Sequence, residues 1–280
     1  MTAPCDRDAE AEVEGHLDFT TGFNGDILGE ILLSNAVKRV VSFCSRSSGF
    51  VTYDLVSHAA REAGRLRDVG PWTVLVATAL NGRVTVKNVK DFSSSVEDFV
   101  SRLDAVPQKP LAEMDESEVS RVVDFCSFGF SGAWAPKITK VGAVFRPEAI
   151  PILDGHLALA YGYERSAFSS KPEPRRAAIN SVVQALSMSI KAQKTLLDEL
   201  RRQVEESAPI VCILTDLRLA DIVIWTSQDD RVERRTRKGK TTKRKDVWLT
   251  YSAKEAPTMD TIRWARLGEN GMAGTTPTPP

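Results

Sequence analysis

The chain has 280 residues, of which 42% are hydrophobic and 26% are charged, and its 37 Lys and Arg residues balance its 37 Asp and Glu residues. These proportions are typical of a soluble globular protein, and the length allows one large domain or two modest ones. No apolar run approaches the roughly 18 residues of a membrane-spanning helix, and the N-terminus lacks the basic and apolar regions of a signal peptide. The sequence therefore predicts a cytoplasmic protein without a membrane partner.

Cysteine and histidine usage argues against a metal site. The cysteines are widely scattered, and none forms a C-x-x-C pair, so we expect neither a zinc site, an iron–sulfur cluster nor a disulfide framework. The chain has 3 histidines, too few for a histidine-rich metal centre. We therefore predict a protein without a metal or cofactor. The cysteines are Cys5, Cys44, Cys126 and Cys212.

The first part of the chain has the residue spacing of helices. Apolar residues at helical intervals predict helices over residues 25–43 and 54–66, the second capped by Asp54. Residues 72–80 are apolar almost throughout, which predicts a buried helix. Asn81 and Gly82 would end it, since this pair is a usual C-terminal signal of helices.

Three shorter helices are predicted next, over residues 85–92, 94–106 and 115–126, the last capped by Asp115 or Ser117. Aromatic residues then cluster shortly before residue 135, and packing in the core is one explanation for them. This cluster consists of Phe125, Phe128, Phe130 and Trp134.

Residues 132–162 combine two apolar helical segments with a turn and two potentially reactive side chains. Pro151 lacks a backbone donor and disfavours helix in the residue before it, so we expect the chain to turn there. Asp154 then falls at the N-cap of the next helix, and a helix–turn–helix can bring Lys140 on the preceding helix close to it. In the alternative interpretation Asp154 is only a cap and Lys140 only a solvated side chain. Lys137, three residues earlier on about the same helical face, is an equally eligible amine.

The pattern of helices continues in the last third of the chain. A long amphipathic helix is predicted over residues 175–207. Residues 210–225 are too apolar to be exposed. Within them, the positions of Asp216, Arg218 and Asp221 favour a structural Asp–Arg pair over a catalytic group.

A dense basic run covers residues 231–245, where nine of fifteen residues are Lys or Arg, while residues 1–30 are acidic. Overall neutrality therefore does not exclude a basic face, because local charge sets the attraction for phosphate. The run is either a solvated flexible loop or an arm that contacts nucleic-acid phosphates. Its basic residues are Arg231, Arg234, Arg235, Arg237, Lys238, Lys240, Lys243, Arg244 and Lys245.

The order of Lys140, an apolar helix, a proline, Asp154, one intervening residue and His156 resembles the core of the helix–hairpin–helix DNA glycosylase superfamily, of the endonuclease III and 8-oxoguanine glycosylase type. Residues 70–82 are similar to the early helix that precedes the base pocket in these enzymes. The stretch from Lys140 to Asp154 also resembles an uncharacterised actinobacterial family with a Lys, Arg–Pro, Ile–Pro and Asp. The resemblance covers about a third of the chain. Residues 131–136 depart from it, because they contain one glycine where the superfamily has Pro–Gly–apolar–Gly.

The resemblance implies a mainly α fold with two helical lobes and a cleft between them. We expect one folded domain in which the central lobe and the second lobe are both helical. The terminal segments outside this domain consist mainly of small and polar residues, and we expect them to be disordered. The predicted boundaries are 1–15 for the disordered acidic N-terminus, 16–266 for the domain, 70–130 for the central lobe, 16–69 plus 131–226 for the second lobe, 231–245 for the basic arm and 267–280 for the disordered tail.

The resemblance also implies roles for individual residues. Asp154 would be the essential carboxylate, and Lys140 or Lys137 the amine nucleophile. An extruded base would be contacted by polar and aromatic side chains, whose alternative roles are helix punctuation for Asn81 and core packing for the aromatics. These base-contacting candidates are Trp72, Asn81, Phe130, Trp134 and His156.

We therefore expect a DNA glycosylase that flips out and excises a damaged or modified base, with modified phage DNA among the candidate substrates. A nucleophilic lysine would add strand-nicking lyase activity. Two alternatives stay open. One is a non-catalytic nucleic-acid-binding protein on the same helical scaffold, and the other is a protein-interaction module in which Asp154 is only a cap.

Overall fold

The computed structural model describes residues 15–20, 28–47, 49–62, 64, 66, 69–130, 132–230, 233–235, 241–243 and 248–249. This part of the chain is mainly helical, as predicted. Its α-helices are α1 (Leu33–Arg46), α2 (Val56–Glu62), α3 (Val86–Ser93), α4 (Val96–Ala105), α5 (Glu116–Ser127), α6 (Ala135–Phe145), α7 (Gly155–Ala160), α8 (Pro172–Ala192), α9 (Lys194–Ser207) and α10 (Asp216–Asp229). Segments of 3-10 helix occupy Pro71–Leu80, Leu111–Glu113, Ala167–Ser169 and Pro209–Ile213, and Phe50–Leu55 is π-helical.

The strands of the described residues form two short antiparallel pairs. Strand β1 (His16–Leu17) pairs with β2 (Ile31–Leu32), directly before α1. Strand β3 (Glu233–Arg235) pairs with β4 (Thr241–Lys243), so that Glu233 lies opposite Lys243. The backbone of the basic run therefore turns back on itself after α10.

Local capping explains where several helices begin. Asp115 accepts a hydrogen bond from the backbone N–H of Glu118, whose side chain accepts one from the N–H of Asp115, so α5 starts with the predicted cap. Thr85 and Asn88 form the same reciprocal arrangement at the start of α3. At the start of α10, the Thr215 hydroxyl accepts from the N–H of Arg218 and donates to the carbonyl of Pro147, which ties α10 to the turn after α6.

The helices enclose one connected hydrophobic core. Helix α5 packs on α8, α6 packs on Pro71–Leu80, and α10 packs on both α1 and α7. Aromatic rings fill the space around α4 and α5: the Phe99 ring lies edge-on to those of Phe92 and Phe125, with centroids 5.2 and 5.3 Å away. No helix in the described part of the chain is both long enough and apolar enough to cross a bilayer.

The predicted helix over residues 175–207 is wrong in one respect, because it is two helices that meet at Gln193. The Gln193 side chain accepts a hydrogen bond from the backbone N–H of Asp18 at 2.7 Å and donates one to the Asp18 carbonyl. These bonds join positions 175 residues apart in the sequence. The helical periodicity continues across residue 193, so it gave no sign of a break that a residue distant in sequence stabilises.

Gly142 lets α6 lie close to α5. A Cβ atom at this position would be 2.4 Å from Cε1 of Phe125, whose ring is fully buried. We predict that Gly142→Ala destabilises the protein by about 1–2 kcal/mol, because overpacking costs about 1–3 kcal/mol and the better helix propensity of alanine returns at most about 1 kcal/mol. Urea denaturation of the variant measures the difference.

The double variant Gly142→Ala with Phe125→Leu is the control for this clash. We expect it to lose less stability than the sum of the two single variants, since the smaller side chain removes the atoms that the new methyl group meets. Strictly additive stability losses would show that the side chains at positions 142 and 125 do not clash.

Candidate active site

A cleft lies where five elements converge: the end of helix α1, the end of Pro71–Leu80, helix α6, the turn before α7, and helix α10. Its empty volume is about 520 Å³, which includes the part open to solvent. One wall is apolar and aromatic, formed by Phe43, Ile152, Ile222 and Trp225. The polar lining consists of Ser47, Asn81, Lys140, Asp154, Arg218 and Asp221.

Lys140 reaches this cleft from α6 and is held at two atoms, Nζ and its carbonyl oxygen. Its side chain is only 6% exposed, and Nζ donates a hydrogen bond to the carbonyl of Leu80 at 2.7 Å. Its own carbonyl accepts from the Tyr53 hydroxyl at 2.5 Å. Burial lowers the pKa of Lys140 below the ordinary lysine value, while the nearby Asp154 and Asp221 carboxylates oppose that shift. The amine is therefore fixed in place and easier to deprotonate than a surface lysine.

Asp154 caps α7, as predicted, and also faces the cleft. One carboxylate oxygen, Oδ1, accepts both the His156 and the Leu157 backbone N–H groups, at 2.8 and 3.1 Å. Among the described residues, no partner bonds to Oδ2, and Asp154 makes no direct ion pair with Lys140. The carboxylate thus stabilises the helix through one oxygen and keeps the other available.

Thr139 couples the two candidate groups, although sequence analysis did not single it out. Its hydroxyl donates to the carbonyl of Ala135 at 2.7 Å and accepts the backbone N–H of Leu153 at 3.0 Å. Thr139 precedes Lys140 and Leu153 precedes Asp154, so this fully buried bond fixes the relative position of lysine and carboxylate. A threonine inside an apolar helix was the signal that could have indicated it.

A largely buried ion cluster adjoins the cleft, which two of its members, Arg218 and Asp221, line. Arg218 binds Asp54 through two parallel hydrogen bonds, Nε to Oδ1 at 2.8 Å and Nη2 to Oδ2 at 2.9 Å, and its Nη1 donates to Asp221 Oδ2. Burial opposes the charge on Arg218, but Asp54 and Asp221 outweigh it and raise the pKa of the guanidinium above its ordinary value. The predicted Asp–Arg pair is present. The prediction that Asp54 caps a helix is wrong, because it lies inside the π-helical segment and serves as the partner of Arg218.

Asn81 ends Pro71–Leu80, as predicted, in a left-handed conformation with φ of 60°. Its side chain is exposed, lines the cleft, and forms no hydrogen bond with the described residues. It therefore combines the two interpretations that the sequence left open, since it terminates the segment and also presents a free amide to the cleft.

The structure separates the two candidate lysines. Lys137 points away from Asp154: its Nζ donates to Asn88 Oδ1 at 2.9 Å and to the carbonyl of Gly132 at 3.3 Å. Burial lowers the pKa of Lys137 as well, but it does not line the cleft. Only Lys140 of the two shares the cleft with the carboxylate.

Phe130 and Trp134, predicted to contact a base, lie elsewhere. The Phe130 ring is buried with its centroid 5.3 Å from that of Phe92, and the guanidinium of Arg175 lies 4.3 Å from the Trp134 ring centroid. Core packing, the alternative in the sequence analysis, describes Phe130, whereas Trp134 is half-buried outside the core. Trp72 belongs to Pro71–Leu80, but its side chain is outside the described atoms.

His156 supports the cleft from behind instead of lining it. Its ring is 5.0 Å from that of Trp225, which does line the cleft, and its Nε2 is 3.5 Å from Oδ1 of the buried Asp229. Trp248 also packs on Trp225 and donates its indole N–H to Asp229 Oδ2 at 3.1 Å. The histidine therefore positions the aromatic wall and is not itself presented to a ligand.

The basic run lies largely outside the described residues. The structure gives only the backbone of β3 and β4, which include Arg234, Arg235 and Lys243. The other basic residues predicted to bind nucleic acid are not described: Arg231, Arg237, Lys238, Lys240, Arg244 and Lys245. Within the described residues, no group of three or more His, Cys, Asp or Glu side chains is placed to hold a metal ion.

The buried ion pairs of Arg218 are expected to contribute strongly to the stability of the protein. We predict that Arg218→Met destabilises the protein by about 3–5 kcal/mol, because it leaves the Asp54 and Asp221 carboxylates buried without their cation. Chemical denaturation of the variant measures the loss. Arg202→Met is the matched control: its side chain is 46% exposed on α9, so its ion pairs contribute at most about 1 kcal/mol. Similar losses in the two variants would contradict a special role for the cluster.

No protein-family model, curated protein or solved structure matches the chain. The cleft is therefore interpreted from its own residues. It combines a buried amine, a helix-capping carboxylate with a free oxygen, a second carboxylate held by an arginine, and an aromatic wall.

Proposed function

We propose that the protein is a DNA glycosylase that excises a damaged or modified base, with Asp154 as the essential carboxylate and Lys140 as an amine nucleophile. The observation that carries the proposal is that these two side chains share one cleft with the free amide of Asn81. In the proposed arrangement the helices form two lobes, and an extruded base enters the cleft between them. DNA carrying a modified base, including modified phage DNA, is the proposed substrate.

The carboxyl groups of the cleft support this chemistry. Two of them, those of Asp154 and Asp221, line the cleft. Breaking an N-glycosidic bond builds positive charge on the sugar, and a fixed carboxylate stabilises that charge without reorganisation. Asp154 is suited to this role because Oδ2 is free while Oδ1 is anchored to α7.

The environment of Lys140 supports covalent chemistry at the same site. An amine must be neutral to attack the anomeric carbon, and burial lowers the pKa of Lys140 in that direction. The hydrogen bond to the Leu80 carbonyl orients Nζ. Attack on the sugar would displace the base and give an imine, which permits strand nicking.

Contacts with DNA in this proposal come from two sources. The aromatic wall with Trp225 offers a surface on which a flipped base can stack. The basic run that follows α10 supplies positive charge for the phosphates. Because phosphate contacts release counterions, binding through this run would weaken steeply with salt.

Asp154→Asn tests the proposal. Asparagine caps helices about as well as aspartate, so we expect nearly unchanged stability, and a loss of base excision of at least about 100-fold because the negative charge is gone. The measurement is the formation of alkali-labile abasic sites in DNA that bears normal, damaged or phage-type modified bases.

Asp115→Asn is the matched control, since it makes the same change at the N-cap of α5, outside the cleft. Equal activity of wild type and Asp154→Asn would contradict the catalytic role. Salt-sensitive DNA binding without excision of any base would favour the non-catalytic alternative.

The two lysines are distinguished by borohydride trapping of an imine to DNA. We expect Lys140→Met to abolish the trapped complex and Lys137→Met to retain it, because only Lys140 lies in the cleft. On DNA that already contains an abasic site, trapping by the wild type should increase with pH and reach its plateau below the ordinary lysine pKa, since burial favours the neutral amine. Loss of trapping in Lys137→Met alone would reverse the assignment.

A further inference from the structure

The carboxylate of Asp221 has one oxygen engaged and one oxygen free. Its Oδ2 accepts from Arg218 Nη1, and Oδ1 forms no hydrogen bond with the described residues. The residue is 7% exposed, and it lines the same cleft as Lys140 and Asp154. A second carboxyl group therefore faces the space where a base would lie.

Arg218 cannot neutralise both of its carboxylate partners. Asp54 occupies Nε and Nη2 with both oxygens, which leaves only Nη1 for Asp221. One guanidinium thus faces two carboxylates in a largely buried position. An uncompensated negative charge in such a place is costly, so the pair favours uptake of a proton.

Burial favours the protonated form of Asp221, and the charged groups around it oppose one another. Burial raises the pKa of Asp221 to about 7; Arg218 opposes the rise, and the Asp154 and Asp54 carboxylates add to it. Lys140, on α6, faces the same cleft, and the buried Tyr53 hydroxyl is bonded to the Lys140 carbonyl. The group can therefore hold and release a proton close to neutral pH, while Asp154 is fixed by backbone N–H groups.

We propose that Asp221 is the acid that protonates the leaving base in this cleft, an assignment that rests on the glycosylase function proposed above. Two carboxyl groups in different environments would then divide the work: Asp154 stabilises the cationic sugar, and Asp221 supplies a proton. Arg218 is a positioning residue: it holds the Asp221 carboxyl group and stabilises the carboxylate that remains after the proton has left.

Loss of the base is coupled to proton transfer from Asp221. The bond between the anomeric carbon and the base nitrogen breaks, and its electron pair goes to the base. The proton on Asp221 Oδ1 passes to an acceptor atom of the base, a ring nitrogen or a carbonyl oxygen, so the base leaves neutral. Water or Lys140 Nζ forms the new bond to the anomeric carbon and loses a proton to solvent. Asp221 becomes a carboxylate and regains its proton from solvent.

This role defines a substrate class. A neutral base is a poor leaving group and needs the proton, whereas an N-alkylated cationic base leaves without one. The cleft is thus suited to neutral modified bases that present a hydrogen-bond acceptor towards α10.

The test measures single-turnover excision between pH 5 and pH 9 by wild type, Asp221→Asn and Asp216→Asn. Asp216 lies at the start of the same helix, pairs with Arg201 and does not line the cleft, so its variant controls for a lost carboxylate on α10. With a neutral base, we expect wild-type excision to fall as pH rises through about 7, because the protonated form is then lost. Asp221→Asn should be about 10²–10⁴-fold slower, with a flat profile.

A DNA that carries 7-methylguanine, a cationic base, separates proton donation from a structural role. Asp221→Asn should excise it nearly as fast as wild type does. If Asp221→Asn does not fold, the wild type alone decides, since its acidic pH dependence should appear with the neutral base and vanish with the cationic one. Wild-type excision combined with an unchanged rate and pH profile in Asp221→Asn would overturn the role of Asp221. Excision confined to the cationic base would overturn it too. Absence of excision of every base by the wild type would instead refute the glycosylase function itself.

Discussion

The guanidinium of Arg218 is the constraint around which the cleft is built. It lies between a π-helical segment and α10, and it binds two carboxylates that the core would not otherwise accept. The rings of Phe43 and Tyr53 lie 5.4 and 5.7 Å from it, which keeps water away from the cluster. Tyr53 in turn bonds to the carbonyl of Lys140. The cluster, the amine and the aromatic wall are therefore parts of one packed unit.

Structural and chemical duties overlap in this unit. Asp154 begins α7 with one oxygen and presents the other to the cleft. Asn81 ends Pro71–Leu80 and presents its amide to the same space. The Asp154 side chain is held in place by the backbone N–H groups that it caps, and such preorganisation is what electrostatic catalysis requires. The proposed glycosylase chemistry uses groups whose positions the fold already determines.

Sequence patterns predicted the helices well where local forces decide them. The Asp115 cap, the cap at Asp154 and the end at Asn81 all follow from short-range hydrogen bonds between a side chain or turn and its own backbone. Patterns failed where a distant contact overrides local preference. Gln193 ends α8 because it binds Asp18, 175 residues away in the sequence. The cap predicted at Asp54 is displaced by an arginine 164 residues away.

In the candidate site, the position of Asp154 at a helix N-cap could be predicted from the sequence, because an aspartate after a proline turn is placed by local capping. The sequence left Lys137 and Lys140 equivalent, since residues three apart lie on about the same helical face. The packing of the helices distinguishes them, because the Lys140 amine binds the carbonyl of Leu80 in the cleft and the Lys137 amine binds Asn88 outside it. The Thr139 link, the Asp54 partner and the free oxygen of Asp221 likewise arise from contacts between elements far apart in the chain. Such contacts depend on how helices pack, and the periodicity of one helix does not encode which residue of another it will meet.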